Sequence, residues 1–377
     1  MNSITQGLLA EGCEVRVLSV CTDKHPVRHE QMTDEYLQAT RFEAQYIDLG
    51  VNVLDAFVAM MCGESYHVKR YVSSDFAAKL RQILEEEEFD VVHLESVFLT
   101  PYVPLIRKYS QATVVLRAHN VEHRIWRHIA KGTKNPFKAW YLKHLALTLG
   151  AYEREHCNDY DAIVCITPDD AQFFKEAGCR KRIEAIPFAV NPEPLENVAV
   201  EPNTLFHIGS MDWIPNQEGV RWFLNDVWPI VHAQVPEVRL YLAGRKMPQD
   251  LMDLHMDGVQ VVGEVADAMY FIGSKQINIV PLLSGSGIRV KIIEAMSAGK
   301  TVISTSVGAA GINYTDGENI LIADTPEQFA QQIKRCVGDQ EFCSSIGQKA
   351  YALISEEYGQ EKLTRKLISV YEKLTDK

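Results

Sequence analysis

The stretch PLLSGSGIRVKIIEAMSA, residues 281–298, gathers residue types that can hold a phosphate group. It follows the apolar run 277–280, and two glycines precede an apolar-periodic segment, so it reads as strand, tight loop and helix. Gly285 and Gly287 let the backbone come close to a ligand, and N–H groups at a helix start near Ile288 would turn the positive end of the macrodipole outward. Arg289 and Lys291 fall in the first turn, where cations oppose that dipole unless an anion lies in front of them. Glu294 stands far enough down the same helix to meet an uncharged part of the ligand, such as ribose hydroxyls. An ordinary α/β turn with solvated cations fits the same residues.

A second candidate group follows the strand expected at 113–117: His119, Asn120 and Glu122. In a doubly wound sheet the strand ends present the ligand-binding loops, so this histidine stands at a functional edge. A hydrogen-bonded structural histidine is the alternative. Beyond it, residues 117–144 carry Arg117, Arg124, Arg127, Lys131, Lys134, Lys138 and Lys143 against a single carboxylate, Glu122, with Trp126, Phe137, Trp140 and Tyr141 interleaved. Such a mixture suits an anionic membrane surface or an anionic glycan acceptor. It equally suits a basic helix pair whose aromatics are core.

The totals narrow the class. A chain of 377 residues fits two domains of ordinary size, and 46% hydrophobic with 23% charged residues is the composition of a globular protein. No apolar run approaches a membrane span, and a net charge of −12 argues against a general nucleic-acid binder. The eight cysteines include no Cys-x-x-Cys pair, and several sit in apolar runs, which favours cytosolic thiols over disulfides or a metal site.

The elements that must position these groups are α/β throughout. The chain opens on a helix at 3–10 and a strand at 14–20, where a doubly wound domain would first show a strand and a glycine-rich turn. Segments 34–46 and 74–88 have helical character, 90–96 and 113–117 read as buried strands, and Thr167-Pro168 is a helix start. Residues 187–203 hold four prolines and no helical period, a linker. From 204 onward strands and helices alternate, the rhythm of a parallel sheet covered on both faces. The turn Gly209-Ser210-Met211-Asp212 lacks the GxGxxG spacing of nicotinamide sites.

Four ordered blocks carry a resemblance: RAHNVEH at 117–123, HIGSMDWIPNQEGVRWF at 207–223, LYLAGR at 240–245, and the long segment that begins at Pro281. Together they resemble glycosyltransferase family 4, retaining enzymes of the GT-B fold. The resemblance implies two Rossmann-like, doubly wound domains facing a central cleft, with the first N-terminal strand missing. Its boundaries would be 1–187 for the acceptor-side domain, 188–203 for the linker, 204–357 for the nucleotide-sugar domain, and 358–377 for a final helix returning to the first domain. It implies a donor site of Gly209, Arg245, Gly263, Glu264, Ser284, Gly285, Ser286, Gly287, Ile288 and Glu294, with Arg289 and Lys291 on the phosphates and His119 toward the transferred sugar. Asn120, Glu122, Arg124, Trp126 and Arg127 fall on the acceptor or membrane side. The chain departs from the family in having Ser286 where a first glutamate is common, and Met211-Asp212 where an Arg and a Lys often stand.

The activity implied is transfer of a sugar from a nucleoside diphosphate sugar to a hydroxyl acceptor, in bacterial polysaccharide or lipid-linked glycan assembly. Neither cofactor nor metal is expected, nucleic acid is not a partner, and the setting is cytoplasmic, with peripheral contact to the inner membrane face through 117–144. A non-catalytic sugar-nucleotide-binding or assembly subunit is the rival from another class, and a sugar-nucleotide epimerase a lesser one.

Overall fold

The computed structural model of the chain describes residues 2–28, 30, 32–190, 198–285 and 287–375. Two compact units emerge, Met1–Phe188 together with Leu363–Lys377, and Ala189–Lys362. Residues 191–197 of the sequence-expected linker lie outside the described residues.

The strands of the first unit are β1 (Leu18–Cys21), β2 (Glu43–Tyr46), β3 (Val91–Leu94), β4 (Thr113–Ala118), β5 (Ala162–Cys165) and β6 (Arg182–Ala185). They form two parallel sheets, β1-β2 and β3-β4-β5-β6. Among the described residues no strand pairs with the second edge of β1 or of β3, and the chain enters through a helix, Asn2–Ala10. β5 is buried from end to end and β4 at every position after Thr113, as apolar central strands of a parallel sheet should be. They build a core with Ile106, Leu116, Ile163, Tyr160 and Phe174. The expectation of one helical stretch over 34–46 is corrected: the helix Asp34–Thr40 stops at Arg41, held at φ 43°, and Glu43–Tyr46 is a strand. A left-handed residue cannot continue a right-handed helix, so the chain turns there and its last four residues pair with β1. The closing helix Gln360–Thr375 contributes Leu363, Leu367 and Val370 to buried positions, and Lys366 Nζ donates to the carbonyl of Ala185 at 2.9 Å.

The second unit holds β7 (Thr204–Ile208), β8 (Arg239–Ala243), β9 (Val259–Gly263), β10 (Ile277–Val280), β11 (Thr301–Ser304) and β12 (Leu321–Ile322). All pair in parallel in the order β9-β8-β7-β10-β11-β12. The chain therefore starts in the middle, winds to one edge, returns and winds to the other. That reversal falls between β7 and β10, where connections leave in opposite directions and open a crevice at the strands' C-terminal ends. The apolar runs LYLA and INIV are buried because helices cover both faces, and Phe223, Val227, Trp228, Phe329 and Ile333 fill one of the layers. The helical segment expected at 219–233 is broken into Ile214–Trp222, a π-helical turn Phe223–Val227, and Trp228–Gln234, with Pro229 just inside the last piece.

The helix Ile214–Trp222 lies close against the loop that follows β10. A Cβ at Gly219 would stand 2.4 Å from the carbonyl oxygen of Pro281, so only glycine permits the approach. Gly219→Ala should therefore force the helix off the crevice at a cost of about 2 kcal/mol. In calorimetry this would lower the melting temperature of the unit by roughly 4–8 °C. An unchanged melting temperature would mean the helix moves away freely.

Candidate functional site

At the crevice, β7 ends in His207 and Ile208 and the chain turns at Gly209. His207 is fully buried, and its Nδ1–H donates to the carbonyl of Ile279 on β10 at 3.0 Å. That bond leaves the Nε2 lone pair facing Lys291, whose Nζ lies 3.3 Å away. Lys291 Nζ also donates to Oδ1 of buried Asn216 at 2.7 Å, while Asn216 Nδ2 donates to the carbonyl of Ser210 at 2.8 Å. One histidine, one amide and one ammonium thus lock β7, the helix Ile214–Trp222 and the helix Val290–Ser297 around Gly209. Any side chain at 209 would strike them, since a Cβ there falls 2.6 Å from Lys291 Nζ.

The electrostatics of this cluster are unusual. Burial, then the nearby charge of Arg289, pushes the Lys291 amine down to about 7, against a smaller opposing effect from Glu294. Burial and then Lys291 hold His207 far below its ordinary range, so it is neutral. Arg289 is 6% exposed, lowered to about 10 by burial, and its guanidinium stacks 5.0 Å from the centre of the Trp213 ring. Gly285, at φ 125°, sits against both groups, with no room for a Cβ beside Arg289 Nη2 and Trp213. Arg289 is buried and Lys291 half-buried at the C-terminal end of the sheet, and partial removal from water is what lowers both groups.

The other sequence-expected donor residues fall around this crevice. The helix begins at Val290, not near Ile288, so Arg289 is its N-cap residue and Lys291 alone lies in the first turn. Gly287 and Ile288 lie in the loop before it, Gly287 at φ 79°, while Ser286 lies outside the described residues. Ser284 Oγ donates to a carboxylate oxygen of Glu218 at 3.3 Å. Glu294 is half-buried and burial raises its carboxyl, with Lys291 opposing. Gly263 accepts from the Gly244 N–H at 2.7 Å, and the Arg245 carbonyl accepts from the Met211 N–H at 2.9 Å, so the ends of β8 and β9 join the Gly209 turn. The side chains of Arg245 and Glu264 are exposed there. Lys246, which the sequence reading passed over, pairs with Asp212 at 3.0 Å and brings a cation back to a turn that looked acidic.

In the first unit His119 follows β4 and is half-exposed. Its Nε2–H donates to Glu95 Oε2 at 2.6 Å, from the residue just after β3. His93 Nε2 lies 3.3 Å from the other Glu95 oxygen, and His93 Nδ1 is hydrogen-bonded to the Tyr371 hydroxyl of the last helix. Burial would raise the Glu95 carboxyl, but the hydrogen bonds from His119 and His93 outweigh it and hold the group well below the usual carboxylate range. Glu95 was not singled out in the sequence. Its only signal is its place one residue beyond a strand, next to the strand that His119 follows.

The rest of the acceptor-side set divides. Asn120 hydrogen-bonds Glu122, whose carboxyl burial and the charge of Glu153 raise to about 7. Glu153, 1% exposed, accepts from the N–H groups of Glu122 and His123, so this pair of acids organises a helix start. Arg124 is engaged with Asp169 and Asp170, Trp126 stacks on His67 with ring centres 4.0 Å apart, and Arg127 is exposed. Arg117, expected in the basic surface, is instead in the core at 1% exposure, donating to the carbonyl of Pro187 at 3.0 Å.

A family model described as Glycosyltransferase Family 4 matches residues 1–194, and one described as Glycosyl transferases group 1 matches 202–339. The chain belongs to glycosyltransferase family 4. An uncharacterised 44.6 kDa protein in the cps region of Klebsiella pneumoniae is 25% identical over 310 residues, covering 76% of this chain and 75% of that one. An uncharacterised glycosyltransferase of Methanocaldococcus jannaschii is 23% identical over 303 residues, 78% of this chain and 79% of that one. Among solved structures, sucrose-phosphate synthase of Thermosynechococcus elongatus superposes with a TM-score of 0.69 at 15% identity, covering 98% of this chain and 91% of that one. HepE of Anabaena, solved with UDP, gives 0.64 at 12%, covering 95% of this chain and all of that one. The fold is GT-B, and this family 4 glycosyltransferase carries Arg289 and Lys291 in the second Rossmann-like unit and its His119–Glu95 pair in the first.

Glu95 supplies a test that needs no substrate. A carboxyl held below its unfolded value of 4.5 adds stability above that pH and loses it as the pH falls through and below it. Glu95→Gln should therefore destabilise the protein by about 1–3 kcal/mol near neutrality, as expected for hydrogen bonds to a charged group. The difference in melting temperature from wild type should shrink steadily below pH 4.5. A pH-independent difference would mean that the two histidines do not hold the ionised form.

Proposed function

We propose that this glycosyltransferase is a retaining enzyme that moves a sugar from a nucleoside diphosphate sugar to a hydroxyl acceptor in polysaccharide or lipid-linked glycan assembly. The observation that carries this reading is the pair of buried Arg289 and half-buried Lys291 at the glycine-lined switch point, with neutral partners around the ammonium. The UDP and UDP-glucose complexes of HepE and the cps-region setting of the Klebsiella protein support it.

As the glycosidic bond breaks, negative charge grows on the β-phosphate of the departing nucleoside diphosphate. Arg289 and Lys291 stabilise that charge from fixed positions, the effect by which oxyanion donors accelerate acyl transfer. These cations take the place a metal would have, so the reading needs none. Glu294 takes the ribose hydroxyls. The acceptor hydroxyl attacks the face from which the phosphate leaves, its proton passes to the leaving phosphate oxygen, and the anomeric configuration is retained. With Nε2–H fixed on Glu95, His119 keeps Nδ1 for a hydroxyl of the transferred sugar.

On the acceptor side the exposed cations Arg127, Lys131, Lys134, Lys138 and Lys143 are left to meet an anionic membrane or acceptor. No helix among the described residues is long and apolar enough to cross a membrane. The reading makes the contact a peripheral one, at the cytoplasmic face.

Two measurements follow. A melting-temperature screen against UDP, GDP, ADP and their sugars should show one base raising the transition, since a ligand of the folded state must stabilise it. Arg289→Ala should then lower the turnover number about 100-fold or more. Nucleotide binding without any release of nucleoside diphosphate, acceptor present, would favour a binding subunit instead. Separately, an amine near 7 in the free protein must be raised by a bound diphosphate. Affinity should be full below that pH and weaken above it, with proton uptake on binding. Calorimetry of UDP at pH 8 in buffers of different ionisation enthalpy should register the uptake, and Lys291→Met should abolish it. Buffer-independent heats from wild type would place the amine away from the phosphates.

A further inference from the structure

The helix Val53–Cys62 is packed opposite to what its composition calls for. Its inward face is small: Ala56 and Ala59, the latter fully buried, share one cluster with Tyr66 of the short helix Tyr66–Lys69, Ala130 of the helix Glu122–Gly132, and Leu142 and Leu145 of the helix Pro136–Glu155. Its large residues point out, with Leu54 77%, Phe57 55% and Met61 71% exposed, and Val53 and Val58 beside them. Positions 54, 57, 58 and 61 form one stripe at helical spacing, and a helix that served only the fold would turn that stripe to the core. The single charged residue of the helix, Asp55, lies off the stripe on a recess it lines with Asn52 and Gly63.

The two helices that share this small cluster show the same habit. Phe137 at 84% and Trp140 at 60% are exposed, as are Ile129 and Leu147. Among them stand Arg127, Lys131, Lys134, Lys138 and Lys143, all exposed and none in an ion pair among the described residues. The packing separates the aromatics that the sequence left undivided: Trp126 and Tyr141 belong to the cluster, Phe137 and Trp140 to the surface.

We infer that this three-helix face docks the first unit on an anionic bilayer, with Leu54, Phe57, Val58 and Met61 entering the boundary between headgroups and acyl chains, and Phe137, Trp140 and the lysines lying among the headgroups. Apolar side chains in one stripe give the insertion, and unpaired cations give the attraction to anionic lipid. The charge decides the occupant. A two-fold contact with a second copy would set the same unpaired lysines against each other, whereas an anionic lipid surface neutralises them. The inference rests on the proposed transferase only for its purpose, presenting a lipid-linked acceptor.

The test is flotation of the full chain with vesicles of phosphatidylcholine alone or with added phosphatidylglycerol, without donor or acceptor. Wild type should float with the phosphatidylglycerol vesicles, less as salt rises. The pair Phe57→Ser and Met61→Ser should cut that binding about tenfold or more while leaving the melting temperature unchanged. Quenching of tryptophan emission by brominated lipid should fall in Trp140→Phe. Absence of binding at low ionic strength would overturn the proposal, as would equal binding by the double variant or a wild-type dimer in solution that the variant dissolves. The melting-temperature screen with nucleotides is read apart from this, so loss of either reading leaves the other standing.

Discussion

The crevice wall of the second unit turns on one half-buried ammonium. Lys291 cannot sit at the end of β7 unless residue 209 lacks a side chain, Asn216 faces inward, and His207 offers a lone pair. Each requirement is met by a different element, so the Lys291 contact is also what ties strand, turn and two helices into one wall of the crevice. Asn216 and His207 ease the burial without neutralising it, and the amine stays near the point where it gives up its proton. In the proposed transfer, cations held in fixed positions are the arrangement that would stabilise charge appearing as a bond breaks.

The first unit uses charge differently. There acids are buried as organisers: Glu95 gathers two histidines and reaches the last helix through Tyr371, and Glu153 gathers the N–H groups of a helix start together with His123 Nδ1 at 2.6 Å. Arg117, with a carbonyl for its partner, is spent on the joint near Pro187. What remains at the surface is then sorted by sign and by polarity, unpaired cations and large apolar side chains on the same three helices. The two units divide the proposed chemistry accordingly, fixed cations toward the donor in one and an oriented imidazole with a docking face in the other.

The strand–glycine–helix segment at 281–298 was legible because its order of residue types has a direct local cause: an apolar strand, glycines for a close approach, then a periodic helix. The alternation after residue 204 was legible for the same reason, and so was the opening helix with no strand before it. The end of the helix Asp34–Thr40 was missed because it depends on Arg41 accepting a left-handed backbone, which its residue type does not announce. Glu95, His207 and Asn216 were missed because none has a sequence neighbour that explains it; each acquires its role from a strand or helix tens of residues away.

By itself the sequence determined the family, through its ordered blocks, and the two Rossmann-like units, through the alternation of strands and helices; it also placed Arg289 and Lys291 directly after a glycine turn. Tertiary structure alone decided which charges are buried, which are paired, and which aromatics face outward. Arg117 and Lys143 look alike in the chain, yet one is in the core and the other in water. Phe57 looks like a core residue and is exposed, because the face its helix buries is that of Ala56 and Ala59. Burial depends on what lies across the gap, and a one-dimensional pattern records only which side chains share a face, not what that face meets.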